Sequence, residues 1–340
     1  MNSFFQAIRS FLLDYLPKLR GMSENTVQSY RTTLNLFIDF LQEEINLSIS
    51  QISFSIFNRE IFIGFLSWLE NNRNCSTSTR NQRLHALRSF FKYSATLDCS
   101  QIALHFELKN IPLKKMDGRK VDYLTEDTIQ IILNQPDITK PIGLRNQFFM
   151  ILMYDTGARV GEILKMRVRD LRYDIEHPIA HLCGKGGKTR VVPLLNKTVE
   201  HSKRYMSKFH NHPQNEDYLF YTIIHDIKNP MSVDTVASFI KKYGDSARLI
   251  SPDIPKCIHP HQFRHSHAIH HYRAGMPLNL ISEQLGHASV ESTKIYAYAD
   301  TEMKRLALEK SEAKFLSKSS EIQPIWKDNK EMILKLSGLK

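Results

Sequence analysis

The sequence lacks long uninterrupted apolar runs, and no stretch approaches the ~18 consecutive apolar residues typical of a membrane-spanning helix. Its N-terminal segment, M-N-S-F-F-Q-A-I-R-S-F-L-L-D-Y-L, also lacks a basic region followed by an unbroken apolar run. We therefore interpret this segment as an amphipathic helix and not as a signal peptide. We expect no membrane partner.

Cysteine is scarce and carries no paired motif. The four cysteines (Cys75, Cys99, Cys183 and Cys257) form no C-x-x-C pair, so we interpret them as reduced thiols of a cytoplasmic protein. The phosphate-binding pattern G-x-x-x-x-G-K-[ST] is absent too, and we therefore predict no ATP binding.

Acidic residues are fewer than basic ones. The 340 residues include 46 Lys+Arg and 35 Asp+Glu, a formal net charge of +11. A basic excess of this size favours an anionic polymer as partner, most often a nucleic acid. A merely basic enzyme is the alternative. The length suggests two domains, each able to bury its own core.

Residues 1–110 have the apolar periodicity of four or five helices and no strong strand pattern. We expect Pro17 to close the first helix, Ser23 to cap the second and Asn58 to cap the third. The fourth helix, from about Ser78 to Tyr93, is the most informative of them.

Three arginines lie on the non-core surfaces of this fourth helix: Arg80, Arg83 and Arg88. Such a face could lie against DNA phosphates, because Lys and Arg supply most of the non-specific affinity for DNA. An ordinary solvated face is the alternative. Residues 111–123 then break the helical pattern with proline, glycine and basic residues, which indicates a basic linker. Lys114 and Lys115 in this linker could follow a DNA backbone.

The first candidate site residues of the second half lie in the segment Y-D-T-G-A-R-V-G-E. Gly157 permits a tight turn into a helix, with Arg159 at the start of the helix and Glu162 one turn later. A forked guanidinium at such a place suits a phosphate. A surface Arg–Glu pair on an ordinary helix is the alternative.

Residues 179–194 predict a β-hairpin, because two apolar runs flank the glycine-rich turn G-K-G-G-K. A lysine at the tip of a hairpin can be presented to a substrate held elsewhere. By spacing alone, Lys185 and Lys188 are both candidates for this role.

Residues 257–299 hold an unusual number of histidines. Pro260 and Gly275 fit the two ends of a helix on which His261 and Arg264 share a face. A second short helix closes at Gly286, directly before His287, and Tyr296 follows nine residues later.

A metal site is one interpretation of this region, because His261/His265 and His267/His271 are i, i+4 pairs. However, no glutamate stands where H-E-x-x-H would need it, so we predict no metal. Taken one by one, these histidines could be structural and Tyr296 a core residue.

The ordered set of motifs in residues 154–299 resembles the tyrosine recombinase (phage integrase) family. It consists of T-G followed by R-V-G-E, the G-K-G-G-K hairpin, H-x-x-R-H, L-G-H and the later tyrosine. The resemblance implies a mainly α fold with a small β-sheet in the C-terminal half. It implies a helical core-binding, DNA-binding domain (1–110), the linker (111–123), a mixed α/β catalytic domain (124–316) and a C-terminal tail (317–340).

The resemblance also implies a role for each matching residue. Arg159 and Arg264 clamp the scissile phosphate, Lys185 is the general acid and Tyr296 is the nucleophile. His261 and His287 take the two histidine positions, Glu162 and His265 support the site, and Tyr298 is the rival of Tyr296. Gly161 and Phe263 depart from the common pattern, but neither touches the chemistry.

The implied activity is site-specific recombination of double-stranded DNA through a 3′-phosphotyrosyl intermediate with a free 5′ hydroxyl. It would need neither ATP nor a metal or other cofactor, because the covalent link retains the energy of the phosphodiester. Four protomers would exchange strands on two sites through a Holliday junction. We expect the tail to contact a neighbouring protomer, and docking on its own domain is the alternative. A catalytically inactive accessory protein and a type IB topoisomerase are the alternatives.

Overall fold

The structure is a computed structural model of the chain. It describes residues 2–116, 121–173, 175–225, 227–287, 289–299, 305, 308–309 and 329–339. Contacts between residues divide the chain into two compact units, residues 1–119 and residues 120–340.

The first unit is helical. Asn58 and Ser76 cap the third and fourth helices by accepting hydrogen bonds from the backbone N–H groups of Ile61 and Thr79. Ser23 stands at the predicted N-cap position of the second helix, but its side chain makes no capping hydrogen bond there. The helices are α1 (Ser3–Ser10), α2 (Glu24–Glu43), α3 (Arg59–Asn71), α4 (Thr77–Leu97) and α5 (Ile102–Asn110).

The prediction that Pro17 closes the first helix is wrong. After α1 the chain continues as a π-helical segment, Phe11–Leu19, that runs through Pro17. In this wider turn the N–H of Arg20 donates to the carbonyl of Tyr15, five residues earlier. A proline has no N–H to donate, and the shifted bonding pattern accommodates it where an α-helix would break.

The core of the first unit is aromatic. Phe4, Phe11, Phe90 and Phe91 are fully buried, and their rings meet mainly edge to face at centroid distances of 5–6 Å. This core includes the apolar face of α4, so it fixes which residues of α4 point away from it.

The second unit combines helices with two small antiparallel sheets. The first sheet has the order β1-β2-β3, and its β2–β3 hairpin pairs Leu182 with Arg190. This confirms the predicted fold class. The strands are β1 (Leu171–Arg172), β2 (Ile179–Cys183), β3 (Thr189–Pro193), β4 (Tyr221–Ile224) and β5 (Ile227–Pro230). The helices are α6 (Glu126–Leu133), α7 (Pro141–Thr156), α8 (Val160–Ile163), α9 (Asn196–Phe209), α10 (Val233–Arg248), α11 (Pro260–Arg273), α12 (Leu278–Leu285) and α13 (Lys294–Ala299).

The large core of this unit surrounds α7, with Phe148, Phe149 and Met153 fully buried. A separate small cluster joins α11, α12 and α13 and contains Ile269, Ile281, Leu285 and Tyr296. This second cluster matters for function because it brings the histidine-rich stretch together with Tyr296.

The four cysteines are free thiols. Within the described ranges, none of the helices is both long and apolar enough to cross a bilayer. A terminal helix, Lys330–Leu336, is described, whereas residues 317–328 of the predicted tail lie outside the described residues.

Candidate active site

The junction of α7 and α8 positions Arg159. Gly157 ends α7 with φ of 59°, and a Cβ there would lie 2.7 Å from His267 and 2.8 Å from Leu285. Only glycine therefore fits both the backbone and the space. Arg159 follows as the N-cap residue of α8, as the sequence predicted.

Glu162 holds this turn closed and is itself buried. Its Oε2 accepts from the backbone N–H of Arg159 at 2.8 Å, and its Oε1 accepts from Nη1 of Arg159 at 3.0 Å. Burial alone would raise the pKa of Glu162, but hydrogen bonds from Arg190 and Arg159 hold that pKa below its usual value. The carboxylate is thus charged, and 42% of the Arg159 side chain stays exposed.

Arg264 lies on α11 and is buried. Its Nη1 donates to the carbonyl of Gly157 and its Nη2 to the carbonyl of Leu285, both at 2.7 Å. Burial, and then the charge of Arg159, lowers the pKa of Arg264 to about 10. The guanidinium remains charged at neutral pH in surroundings that would favour an additional anion.

His287 stands where α12 ends. Gly286 closes α12 with φ of 63°, and Nδ1 of His287 is 2.8 Å from Oγ1 of Thr293. Burial, and then Arg264, Arg159 and Arg190, lowers the pKa of His287 to about 4. His287 is therefore neutral at pH 7, and a hydroxyl donating to Nδ1 would leave a proton on Nε2.

Tyr296 lies on α13 and is 1% exposed. Its hydroxyl is 3.1 Å from Nδ1 of His265, and its ring stacks on His287 with an interplanar angle of 17°. Burial raises the pKa of Tyr296, while Arg264 and Arg159 partly oppose that rise. Burial, followed by neighbouring His261 and Arg264, lowers the pKa of His265 to about 4. The side chain of the rival Tyr298 lies outside the described part of the chain.

His261 is exposed in the first turn of α11. Partial burial, then His259, Arg264 and Arg159, lowers the pKa of His261, so it lies within the field of both arginines. The hydroxyl of Tyr296 is nevertheless hydrogen bonded to His265. The sequence predicted only a supporting role for His265, and its contact with the tyrosine is new.

The β2–β3 hairpin forms where predicted, with a turn at Lys185–Gly187 in which Gly186 has φ of 75°. The side chain of Lys185 lies outside the described part of the structure. Lys188 is exposed at the end of the same turn.

Sequence reasoning missed Arg190. Its Nη1 and Nη2 donate to the two carboxylate oxygens of Glu162 at 3.1 and 2.8 Å, and its Nε donates to the carbonyl of Gln284 at 2.7 Å. One signal was available, because strand alternation puts Arg190 on the same face as the buried Val192.

The arginines of α4 make hydrogen bonds within the first unit that the sequence analysis did not predict. Arg80 is buried and donates to the carbonyl of Pro112, and Arg83 donates to Ser29 and Thr33 on α2. Arg88 donates to the carbonyls of Leu108, Lys109 and Ile111, where α5 ends. A guanidinium can satisfy the carbonyls that a helix end leaves unpaired, so these arginines hold parts of the first unit together, and contact of α4 with DNA stays a prediction.

The two lysines of the predicted linker also differ from each other. Lys114 forms an ion pair with Glu70 at 2.7 Å, and its backbone N–H donates to Asn81. Lys115 is exposed. Residues 111–114 are therefore packed on the first unit, with Ile111 2% exposed.

His267 and His271 do face each other, with ring centroids 4.3 Å apart. In the part of the chain that the structure describes, however, no group of three or more His, Cys, Asp or Glu side chains could hold a metal ion.

Comparison with known proteins gives a consistent result. The sequence profile of the Phage integrase family matches residues 122–303, and that of the Phage integrase, N-terminal SAM-like domain matches residues 9–96. The chain is 30% identical over 294 residues to tyrosine recombinase XerA of Pyrococcus horikoshii, covering 86% of this chain and 90% of that protein. It is 26% identical to tyrosine recombinase XerC of Chlamydia caviae, covering 88% and 96%.

Among solved structures, the fold is similar to the XerH site-specific recombinase bound to a palindromic difH substrate in a post-cleavage complex. The TM-score is 0.65 at 22% identity, covering 89% of this chain and 84% of that one. At this identity the likeness concerns the fold.

Proposed function

The chain belongs to the phage integrase family of tyrosine recombinases, and we propose that it recombines double-stranded DNA at specific sites through a 3′-phosphotyrosyl intermediate. One observation carries the proposal. A buried tyrosine hydroxyl, hydrogen bonded to a neutral histidine, lies in a site where Arg159 and Arg190 share the single carboxylate of Glu162 and the buried Arg264 feels the charge of Arg159.

Arg159 and Arg264 bind the scissile phosphate in this proposal. Burial, and then the neighbouring positive groups, lowers the pKa values of Arg264 and His287, so these groups repel one another. An entering phosphodiester relieves this repulsion, and its two non-bridging oxygens suit forked guanidinium donors. Since charge on phosphorus increases during attack, the same donors stabilise the transition state.

Tyr296 attacks the phosphorus with its phenolic oxygen. Because burial raises its pKa, the phenol needs a partner that accepts its proton. His265 is the first acceptor, since its Nδ1 lies 3.1 Å from the hydroxyl, and the more exposed His261 passes the proton on. A bound phosphate raises the low pKa of His265 and makes it a better base. His287 donates from Nε2 to a phosphate oxygen.

The bond from phosphorus to the 5′ oxygen breaks as the new bond to Tyr296 forms. Lys185 protonates the departing 5′ oxygen, and the hairpin brings it to the DNA. The products are a 3′-phosphotyrosyl bond and a free 5′ hydroxyl. Attack by a second 5′ hydroxyl reverses these steps and joins a new strand, so neither ATP nor a metal cofactor is required.

Assembly is the second part of the proposal: four protomers hold two DNA sites and exchange strands in pairs through a Holliday junction, in the cytoplasm. The C-terminal tail, 317–340, contacts a neighbouring protomer. Exposed apolar residues of the terminal helix support this, namely Met332, Ile333 and Leu336. The first unit serves as the core-binding domain, with the segment 111–123 as linker and Lys115 as an exposed phosphate contact.

A suicide substrate tests the chemistry. It is a duplex nicked near the cleavage site, so that the short 5′-hydroxyl strand diffuses away and the adduct accumulates. We expect a covalent protein–DNA band for the unaltered protein and for Tyr298→Phe, in the presence of a chelator, and none for Tyr296→Phe. An adduct in Tyr296→Phe, or a requirement for a divalent ion, would contradict the mechanism.

The same experiment separates the alternatives. An inactive accessory protein binds the duplex and gives no adduct. A topoisomerase gives the adduct and relaxes supercoiled DNA as a monomer without exchanging strands between duplexes. A recombinase gives both the adduct and the exchanged product.

A further inference from the structure

Arg190 lies in β3 on the inward face of the hairpin. Its partner across the hairpin is Leu182, which is fully buried, and Val192 shares its face. The side chain of Arg190 is 12% exposed. An arginine on the buried face of a strand is costly unless each donor is satisfied, so its contacts carry information.

The guanidinium of Arg190 satisfies those donors on two other segments. Nη1 and Nη2 form a bidentate pair with Glu162 of α8, and Nε donates to Gln284 in the last turn of α12. A Cβ on Gly286 would lie 3.1 Å from Cδ and Nη1 of Arg190, so the chain passes directly against the guanidinium. Arg190 therefore joins the hairpin to α8 and to the end of α12.

Each of these segments carries a residue of the proposed chemistry. The hairpin carries Lys185, the N-cap of α8 is Arg159, and His287 follows Gly286. We propose that Arg190 is a positioning residue that sets the hairpin lysine, the phosphate-binding Arg159 and His287 in register with one another. This proposal rests on the function proposed above.

Arg190 also keeps the buried carboxylate of Glu162 paired. Glu162 is 6% exposed at its side chain and bonds both Arg159 and Arg190. When Arg159 turns its exposed guanidinium to a phosphate, it gives up its side-chain bond to Glu162. Arg190 keeps both carboxylate oxygens bonded, so the buried charge is never left unpaired. Arg159 can thus exchange partners at little cost.

Arg190→Gln and Arg190→Lys test the proposal in the full-length protein with the suicide substrate at saturating protein. We expect the single-turnover cleavage rate of Arg190→Gln to fall ~100-fold, the loss typical of a small misplacement of reacting groups, while the DNA dissociation constant changes by less than about threefold. Arg190→Lys keeps the charge but not the forked contacts, and should recover only part of the rate.

Two further readouts distinguish positioning from general stability. Without Arg190 the pKa of Glu162 rises, so the acid limb of the cleavage rate should move to higher pH. Because Arg190 acts through Glu162, adding Glu162→Gln to Arg190→Gln should cost little more than either change alone. Arg169→Gln, which removes an exposed arginine paired with Glu216, is the matched control and should cleave at the unaltered rate.

These experiments test the proposed function and the positioning role of Arg190 separately. If the unaltered protein forms no adduct, the proposed function fails. If it forms the adduct and Arg190→Gln cleaves equally fast with an unshifted pH profile, the positioning role is wrong. It is also wrong if binding, cleavage and the thermal midpoint of Arg190→Gln all fall in parallel.

Discussion

The arginines of α4 and the arginines around Glu162 have opposite surroundings. In the first unit, Arg80 and Arg88 donate to neutral acceptors, which are backbone carbonyls and the side-chain amide of Asn81. In the second unit, Arg159 and Arg190 share one buried carboxylate, and Arg264 repels Arg159. The comparison teaches that a guanidinium bonded to neutral acceptors stabilises a fold, whereas arginines that repel one another around a single carboxylate favour the binding of an additional anion.

The largest expected effect is on the second set. Arg264→Lys keeps a positive charge but cannot donate to both Gly157 and Leu285 while facing a phosphate. We expect single-turnover cleavage of bound suicide substrate to fall ~100- to 1,000-fold, as for the loss of one transition-state donor. Arg88→Lys is the control and should cleave bound DNA at the unaltered rate. Equal losses of cleavage rate in the two variants would contradict the distinction between the arginines of α4 and those around Glu162.

The converse experiment measures stability. Arg88→Ala removes a guanidinium that donates to three carbonyls at the end of α5, and we expect the free energy of unfolding of the first unit to fall by ~1–3 kcal/mol. Urea denaturation followed by the fluorescence of Trp68, in a Trp326→Phe background, reports on this unit. The exposed Arg59→Ala is the control. A loss of DNA affinity without a loss of stability would instead support the predicted DNA-facing role of α4.

Acid should affect the two units differently. His265 and His287 have pKa values of about 4, below the ordinary value of 6.5, so the folded second unit binds fewer protons than its unfolded chain. Its stability is therefore full above about pH 6.5 and falls as the pH drops from 6.5 towards 4.

Hydrogen exchange between pH 6.5 and 5, corrected for intrinsic rates, should show lost protection in α11 and α12. Residues 1–119 contain only two of the fifteen histidines, so α2 and α3 should keep their protection from exchange. His287→Gln should flatten the pH dependence in α12. Parallel losses in both units would mean that the histidines do not control this response.

The smallest effect concerns the two linker lysines. Lys115→Gln should lower the slope of log affinity against log salt by about 0.9, the value for one lost phosphate contact. Lys114→Gln should change that slope less, because Glu70 already neutralises its ammonium group. Salt titrations of DNA binding measure both slopes, and equal changes would show that the Glu70 pair opens on DNA.

Much of the candidate site could be predicted because many of its features depend on residues that are close in sequence. Gly157 requires a left-handed turn, Arg159 and Glu162 are one helical turn apart, and Gly286 closes a helix directly before His287. Ordered motifs and helix ends depend on neighbours within a few residues. The helices of residues 1–110 and the hairpin of residues 179–194 followed from similar local patterns, whereas the fold class was implied by the family resemblance.

The contacts between distant segments could not be predicted. The bond from Tyr296 to His265, rather than to His261, depends on how α13 packs on α11. Arg190 reaches residues 28 and 94 positions away, and Arg88 reaches the end of another helix. A long side chain can bond any acceptor that it can reach. Which acceptors lie that close depends on the folded backbone, which the local sequence does not specify.

The burial of Tyr296 has a consequence for the cell. In the proposed mechanism the attacking hydroxyl belongs to a side chain that is 1% exposed and hydrogen bonded to His265, so it cannot react with every phosphate that comes near. A recombinase of this kind would therefore bind DNA without nicking it at random. Burial of the tyrosine, and not a low amount of protein, would then protect the DNA. DNA that does not make the tyrosine accessible would dissociate uncleaved.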